Sequence, residues 1–259
     1  MIVLASEISL GQVAGTLVLV AVAAAVSFWR HADLEQDIGV AVLRSFVQLT
    51  IVGYVIKAIF DSDSLWLVVA LLAFMVVFGA WTARGRAKAV PHAFVPLLIA
   101  LATAAAVTLG LVLILNVFEP KPRFMVPVGG MVIGNAMTAA AVALNRLADE
   151  IHDKSNLIEA TLALGATARQ ASSRLVARSL RSGLIPLIDQ TKTTGVVFFP
   201  GTMVGALLGG ATPLNAVRLQ LILLWTLLGA ASLSAMIATT LAQSRFFTPA
   251  HQLVDPPAP

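Results

Sequence analysis

The chain contains 259 residues, of which 58% are hydrophobic and 12% are charged, and its mean hydropathy is +0.90. A soluble globular chain carries about 25% charged residues, so the polar side chains here are too few to cover a surface in water. The apolar content excludes a disordered chain, and the absence of cysteine excludes disulfides, thiolate metal sites and a cysteine nucleophile. The net charge of +4 does not indicate nucleic acid binding, because the basic residues lie in short loops between apolar runs.

Seven apolar runs are long enough, or nearly so, to cross a bilayer core of about 30 Å as helices. In chain order they are residues 8–29, 38–60, 65–82, 94–118, 124–144, 195–211 and 220–241. The second run contains Arg44, Gln48 and Lys57, and the sixth is short and contains Pro200. The sequence therefore predicts an all-α integral membrane protein with about seven transmembrane helices, in which residues 1–259 form a single transmembrane domain.

The basic residues predict the orientation of these spans. With the N-terminus outside, eleven basic residues fall in inside segments and only three in outside segments. The inside residues are Arg30, Arg84, Arg86, Lys88, Arg146, Lys154, Arg169, Arg174, Arg178, Arg181 and Arg245, and the outside ones are Lys121, Arg123 and Arg218. This positive-inside bias predicts an N-out, C-in topology. Residues 1–7 contain no basic residue, so the first run is expected to be a retained span rather than a signal peptide.

Glycines recur at four-residue spacing in two of the predicted spans. Gly201, Gly205 and Gly209 share one face of the sixth span, and Gly130 and Gly134 share a face of the fifth. Helices in lipid associate through close packing of small residues, so these five glycines are candidates for helix packing. Pro200 is expected to kink the sixth span.

Residues 145–183 form the longest polar stretch and are predicted to be a helix–turn–helix elbow on the cytoplasmic side. One face of its first helix is formed by Leu147, Ile151, Ile158 and Leu162. Gly165 predicts a turn, and Thr167 with Gln170 predicts a capping box that starts a second helix. The second helix presents Arg174, Arg178 and Arg181 on a basic face and is expected to end at Gly183 and Pro186. Such an elbow either lies on anionic headgroups or docks a soluble partner.

Polar side chains within or beside the spans are candidates for a translocation path or gate, because they are costly in lipid. They are Arg44, Gln48, Asn135, Asp189 and Lys192. Simpler roles compete: Arg44 lies near enough to the inner boundary to snorkel, and Asp189 and Lys192 are spaced to form an ion pair. All four histidines lie in loops or the tail, so no intramembrane metal ligand set emerges from the sequence.

Residues 159–165 (EATLALG) resemble the Glu-Ala-Ala-x-x-x-Gly coupling motif of ABC importer permeases, with Thr161 at the third position. The chain as a whole resembles the FetB-type family of iron-export ABC permeases. The resemblance rests on residues 48–55 (QLTIVGYV), 130–137 (GMVIGNAM), 162–167 (LALGAT) and 230–234 (AASLS), with Leu184-Ile185-Pro186, Asp189, Lys192-Thr193, Gly195, Pro200-Gly201 and Gly205 between them. It implies that Glu159, Ala160, Gly165, Ala166 and Thr167 couple the permease to an ATPase.

The resemblance also implies partners and a cargo. No phosphate-binding Gly-x-x-x-x-Gly-Lys-Ser/Thr loop is present, so ATP and Mg²⁺ are expected on a separate ATP-binding subunit and no cofactor on this chain. A permease homodimer in a bacterial inner membrane, exporting iron, is the predicted assembly. Two alternatives stay open: an ABC permease for a sugar nucleotide or another anionic solute, and an ATP-independent secondary transporter or channel.

Overall fold

The structure is a computed structural model that describes residues 10–31, 33–62 and 64–254. The predictions that rest on residues 1–7, on the first two residues of the first span and on the tail at 255–259 lie outside the described residues. The chain divides into two compact units, Met1–Ser62 and Asp63–Pro259.

The described residues form nine α-helices, one short 3₁₀ turn and no strand. The first unit contains α1 (Leu10–Arg30) and α2 (Glu35–Ser62). The second contains α3 (Leu65–Arg86), α4 (Phe94–Ile114), α5 (Pro122–Asp153), α6 (Ser155–Ala163), α7 (Ala168–Thr193), α8 (Gly201–Leu208) and α9 (Pro213–Gln243). The prediction of an all-helical chain is therefore confirmed for the described residues.

Six of these helices, α1 to α5 and α9, are long and apolar enough to cross a membrane. They match six of the seven predicted spans. The prediction of a continuous sixth span over residues 195–211 is wrong, because only the eight residues of α8 are helical there. Gly195 adopts a left-handed φ of +90°, and Pro200 has no N–H and restricts the residue before it, so the helix cannot run through this segment.

The second unit is built around α5, which packs against α3, α4, α7 and α9. The contact surfaces consist largely of alanine: Ala136, Ala140, Ala143, Ala230 and Ala231 are fully buried. Side chains this small allow helix backbones to approach closely, which is how helices gain packing energy where the surrounding lipid is as apolar as the interior.

The helix α7 continues to Thr193, so the prediction that Gly183 and Pro186 end it is wrong. Both residues lie inside the helix. The reason is tertiary packing, since α7 lies against α5 and α9 over this stretch and buries Ser172, Ser179, Gly183 and Leu187 along one face. Neighbouring helices of a membrane bundle compensate for the hydrogen bond that an internal proline removes.

The closest backbone approach between α7 and α5 is at Gly183. A Cβ atom added there would lie 2.7 Å from the carbonyl oxygen of Ala139 and 2.8 Å from Cβ of Ala143. Farther along, Leu187 belongs to a buried cluster with Ala139, Ala143, Ala231 and Ala235. These contacts, with a link between Ser172 and Gln243 (2.6 Å), show that α7 runs antiparallel to both α5 and α9.

The predicted elbow is present, with one correction to its first helix. A single helix was expected from Leu147 to Leu162, whereas α5 ends at Asp153 and α6 begins at Ser155 after a break at Lys154. Ile151 and Ile158 remain buried on either side of the break, so the apolar face is shared by two helices.

The turn and the second helix of the elbow form as predicted. Gly165 takes a left-handed φ of +88°, which a residue without Cβ adopts at no steric cost. The Thr167–Gln170 capping box is confirmed: the Gln170 N–H donates to Thr167 Oγ1 (3.3 Å), and the Thr167 N–H donates to Gln170 Oε1 (2.9 Å). The elbow therefore enters α7 in a fixed direction.

Replacing Gly183 with alanine is expected to destabilise the bundle. The new Cβ would overlap the backbone of α5, and overpacking of this kind typically costs about 1–3 kcal/mol. Gly134→Ala is the matched control, because nothing lies within 4 Å of a Cβ at that helical glycine. The apparent melting temperature of the detergent-solubilised protein should fall for Gly183→Ala and stay level or rise for Gly134→Ala. Equal melting temperatures would contradict the close approach.

Candidate functional site

The helix α6 has two apolar faces, and only one of them is covered. Ile158 is 1% exposed and Leu162 packs against the same core, whereas Leu157 is 64% exposed and Leu164 is 90% exposed. Leu157 and Ala160 lie on α6, and Leu164 is the residue that caps its C-terminal end. Their spacing of i, i+3 and i+7 places the three in one row. A row of exposed apolar side chains at the tip of a polar elbow is typical of a surface that contacts another molecule.

The five coupling residues implied by the resemblance lie together at this tip. Glu159 and Ala160 are exposed on α6, Gly165 forms the turn, Ala166 is half-buried and Thr167 caps α7. The structure thus groups them on one surface beside the apolar row. Their role in coupling stays a prediction.

The end of the described chain folds back onto the elbow, which sequence patterns do not reveal. Phe246 is fully buried, and a hairpin follows it in which the Val254 N–H donates to the Phe246 carbonyl at 2.8 Å. The Ala168 N–H at the start of α7 donates to His251 Nδ1 at 3.4 Å. The hairpin and α6 enclose an open groove of about 550 Å³, which Glu159 lines together with His251 and Leu253. The hairpin therefore contacts the elbow at the start of α7 and along α6.

A buried carboxylate, Glu150, connects both arms of the elbow. Its side chain is 6% exposed and accepts hydrogen bonds from Arg146 (2.8 Å) and from Lys154. Arg178 on α7 lies 3.5 Å from the same carboxylate. A buried carboxylate needs such compensation, because removing a charge from water costs several kcal/mol.

The sequence predicts some of the Glu150 ion pairs but not all of them. The spacing of Arg146, Glu150 and Lys154 at four-residue intervals places them on one helix face, which predicts the pairs within the helix. The contact with Arg178 depends on the return of α7 along α5, which no local pattern encodes. Glu150 was not among the predicted site residues for this reason.

The predicted path residues lie on two units. Arg44 and Gln48 are one turn apart on α2 of the first unit, whereas Asn135, Asp189 and Lys192 lie on α5 and α7 of the second. The ion pair that the spacing of Asp189 and Lys192 predicts is present, with 3.4 Å between Nζ and Oδ1. Asn135 donates its amide to the Met131 carbonyl at 2.9 Å, within its own helix. Their roles in a path or gate stay predictions.

The predicted packing glycines make few contacts within the described residues. A Cβ at Gly130 would lie 3.4 Å from Met75, while nothing lies within 4 Å at Gly134, Gly201 or Gly205. Gly209 meets only backbone atoms of its own helix. The tight positions are instead Gly183 and Gly129, the latter against Leu72. The packing role of the α8 glycines therefore stays a prediction that would require a second molecule.

Two further features bear on what the site can bind. Thr202 on α8 donates a hydrogen bond to the buried side chain of Gln220, which ties the short helix to α9. Among residues 10–31, 33–62 and 64–254, no group of three or more histidine, cysteine, aspartate or glutamate side chains is placed to hold a metal ion.

The architecture and the site together define the class of protein. Six long apolar helices, a polar elbow and an alanine-rich bundle characterise a multi-pass membrane protein. The family model described as "Uncharacterised protein family (UPF0014)" matches residues 10–247. The chain therefore belongs to this family.

Named relatives cover nearly the whole chain. Over 238 residues it is 38% identical to the "Probable iron export permease protein FetB" of Escherichia coli (strain K12), covering 92% of each chain. Over 241 residues it is 40% identical to "Protein ALUMINUM SENSITIVE 3" of Arabidopsis thaliana, covering 93% of this chain and 88% of the relative. Over 247 residues it is 41% identical to "UPF0014 membrane protein STAR2" of Oryza sativa subsp. japonica, covering 95% and 86%. No solved structure matches the chain.

Neutralising Glu150 is expected to loosen the elbow. In Glu150→Gln the three neighbouring cations lose their shared counter-charge, and hydrogen bonds to charged groups are typically worth about 1.5–3 kcal/mol. Limited trypsin digestion of the detergent-solubilised protein should cleave after Arg169 and Arg174 about fivefold faster or more, which corresponds to about 1 kcal/mol of local stability.

The control for this experiment is Glu159→Gln. Glu159 is exposed and has no ion pair within the described part of the chain, so its neutralisation should leave the cleavage rate unchanged. Equal rates in both variants and the unmodified protein would show that Glu150 does not hold the elbow.

Proposed function

We propose that this chain is the permease subunit of an ABC transporter that exports iron and is driven by a separate ATP-binding subunit. The main support for the proposal is the second apolar face of the α6 tip. Leu157 on α6 and Leu164 directly after it are exposed there, although Ile158 already anchors the helix to the core. A helix that lay flat on headgroups would need only one apolar face. A second exposed face suits a protein partner instead.

The geometry around the elbow supports transmission of force. The elbow is fixed by the capping box at Thr167, by the hairpin hydrogen bond at His251 and by the Glu150 ion pairs. A partner that moves the tip would therefore move α7 as a whole. The proposed cycle is alternating access: ATP and Mg²⁺ bind to the partner, its two copies close, and each elbow carries its α7 against α5.

The assembly and the cargo are part of the same proposal. ABC architecture requires two membrane halves, so the permease acts as a homodimer with two ATP-binding subunits in a bacterial inner membrane, N-out and C-in. Iron export is taken from the relative named as a probable iron export permease. Because no described cluster suits a bare divalent ion, the iron is expected to pass through weak polar contacts rather than a resident metal site.

The first test asks whether the apolar row binds the ATP-binding subunit. Leu164→Asp would place a charge at a site that is 90% exposed, so folding should be unaffected while a dry contact with a partner would be lost. We expect co-purification of the co-expressed ATP-binding subunit to fall about tenfold or more. Ser155→Asp, in the first turn of the same helix and on the side away from the row, should leave the yield unchanged. Normal co-purification with Leu164→Asp would refute the docking role of the row.

The second test addresses cargo and energy source in proteoliposomes. Ferrous iron flux should require the permease, the ATP-binding subunit and ATP together. Flux from the permease alone along a gradient would identify a secondary transporter or channel. ATP-dependent flux of UDP-glucose without iron flux would identify an ABC permease for an anionic solute, and either result would replace the proposal.

A further inference from the structure

The helix α7 has a polar face that points away from the bundle. It lies opposite the packed face that contains Ser179, Gly183 and Leu187. Six exposed residues follow one another along it at helical spacing: Arg174, Arg178, Arg181, Ile185, Asp189 and Lys192. The side chains of Asp189 and Lys192 are 61% and 70% exposed. Arg178, at the edge of this face, also reaches Glu150 on α5. We call these six residues the outward face of α7.

This face reaches well into the depth of the membrane. Leu187 lies level with Ala139 and Ala143 of α5 and with Ala231 and Ala235 of α9. The apolar run of α5 ends at Leu144 and that of α9 at Leu241. At 1.5 Å per residue, these two helices place Lys192 between about 12 and 20 Å inside the edge of a hydrocarbon core that is about 30 Å thick.

Lipid cannot be the neighbour of such a face. A charged side chain at this depth is costly in hydrocarbon, and the side chain of Asp189 is too short to snorkel to the surface. The non-helical backbone that follows α7 is also unsuited to contact with lipid. Residues 194–200 leave α7 at this depth, and irregular backbone in a membrane is tolerated only where protein covers it or water fills a cavity beside it.

The course of the chain gives an independent reason. Both α5 and α9 are antiparallel to α7, so they are parallel to each other, and the chain must return across the membrane between them. The return is made by α7, which is about 39 Å long if it has 1.5 Å per residue, followed by residues 194–200 and α8. A crossing made of two helices with a break between them is a frequent place for a transport site.

We propose that the outward face of α7 lines a water-filled path that leads from the inner surface to the break at residues 194–200. Arg174, Arg178 and Arg181 stand at its entrance, and the Asp189–Lys192 pair stands in its interior. The proposal rests on the proposed transport function, but it depends neither on the identity of the cargo nor on the ATP-binding subunit.

The absence of native cysteine makes the path directly testable, because each substituted cysteine is the only thiol in the chain. Thiols react with charged methanethiosulfonates as thiolates, and thiolates form where water reaches them. Ile185→Cys and Lys192→Cys report on the outward face. Leu187→Cys reports on the packed face between them, and Val107→Cys reports on a half-exposed position of the charge-free helix α4.

In membranes that contain the permease alone, Ile185→Cys and Lys192→Cys should react with a membrane-impermeant charged reagent about tenfold faster or more than Leu187→Cys and Val107→Cys. Equal, slow reaction at all four positions would overturn the path, because it would mean that lipid, another helix or a second copy covers the outward face. Ile185→Cys leaves the ion pair intact, so a slow rate there cannot be attributed to loss of Lys192. Fast reaction at 185 and 192 together with no ATP-dependent flux would preserve the path while refuting the proposed function.

Discussion

The arrangement of the second unit depends on how closely α7 approaches α5. In lipid there is little hydrophobic gain from bringing two helices together, so the approach must be stabilised by packing of atoms at short range. At Gly183 the absence of a side chain lets the backbone of α7 meet the backbone of α5 at Ala139 and Ala143. This contact fixes the register between the helices, and the register in turn places Arg178 beside Glu150 and Leu187 among the alanines.

The same register explains how a polar helix is retained in a membrane bundle. The last three turns of α7 carry three charged or amide side chains, Asp189, Gln190 and Lys192, and α7 is not among the six described helices that are apolar enough to cross a membrane. Its stability comes from one narrow face of serine, glycine and leucine rather than from overall hydropathy. A helix of this kind can separate an apolar bundle from an aqueous path, because its two sides meet two different environments.

Much of the fold could be predicted from the apolar runs and local patterns of the sequence. The candidate site could be predicted from them only in part. Apolar length located α1 to α5 and α9, and local chemistry located the Gly165 turn and the Thr167 cap, because these features depend on residues close in sequence. The ends of α7 and the break before α8 could not be predicted this way. Gly183 and Pro186 look like helix terminators locally, and only the tertiary contact with α5 shows that the glycine is needed inside the helix. The link from Glu150 to Arg178 was missed for the same reason.

The helix α7 joins the proposed partner-docking surface at the elbow to the proposed water-filled path. Its first turns carry the cap and the hairpin contact at the elbow, its middle carries the Arg178 pair and the Gly183 contact, and its last turns carry Asp189 and Lys192. A continuous helix transmits a displacement along its length, whereas two helices joined by the expected break at Pro186 would absorb it. The continuity of α7 through Gly183 and Pro186 is therefore what would allow a partner at the elbow to change the path. Asp189 and Lys192 lie 22 and 25 residues beyond Thr167, which is about 33–38 Å along an α-helix.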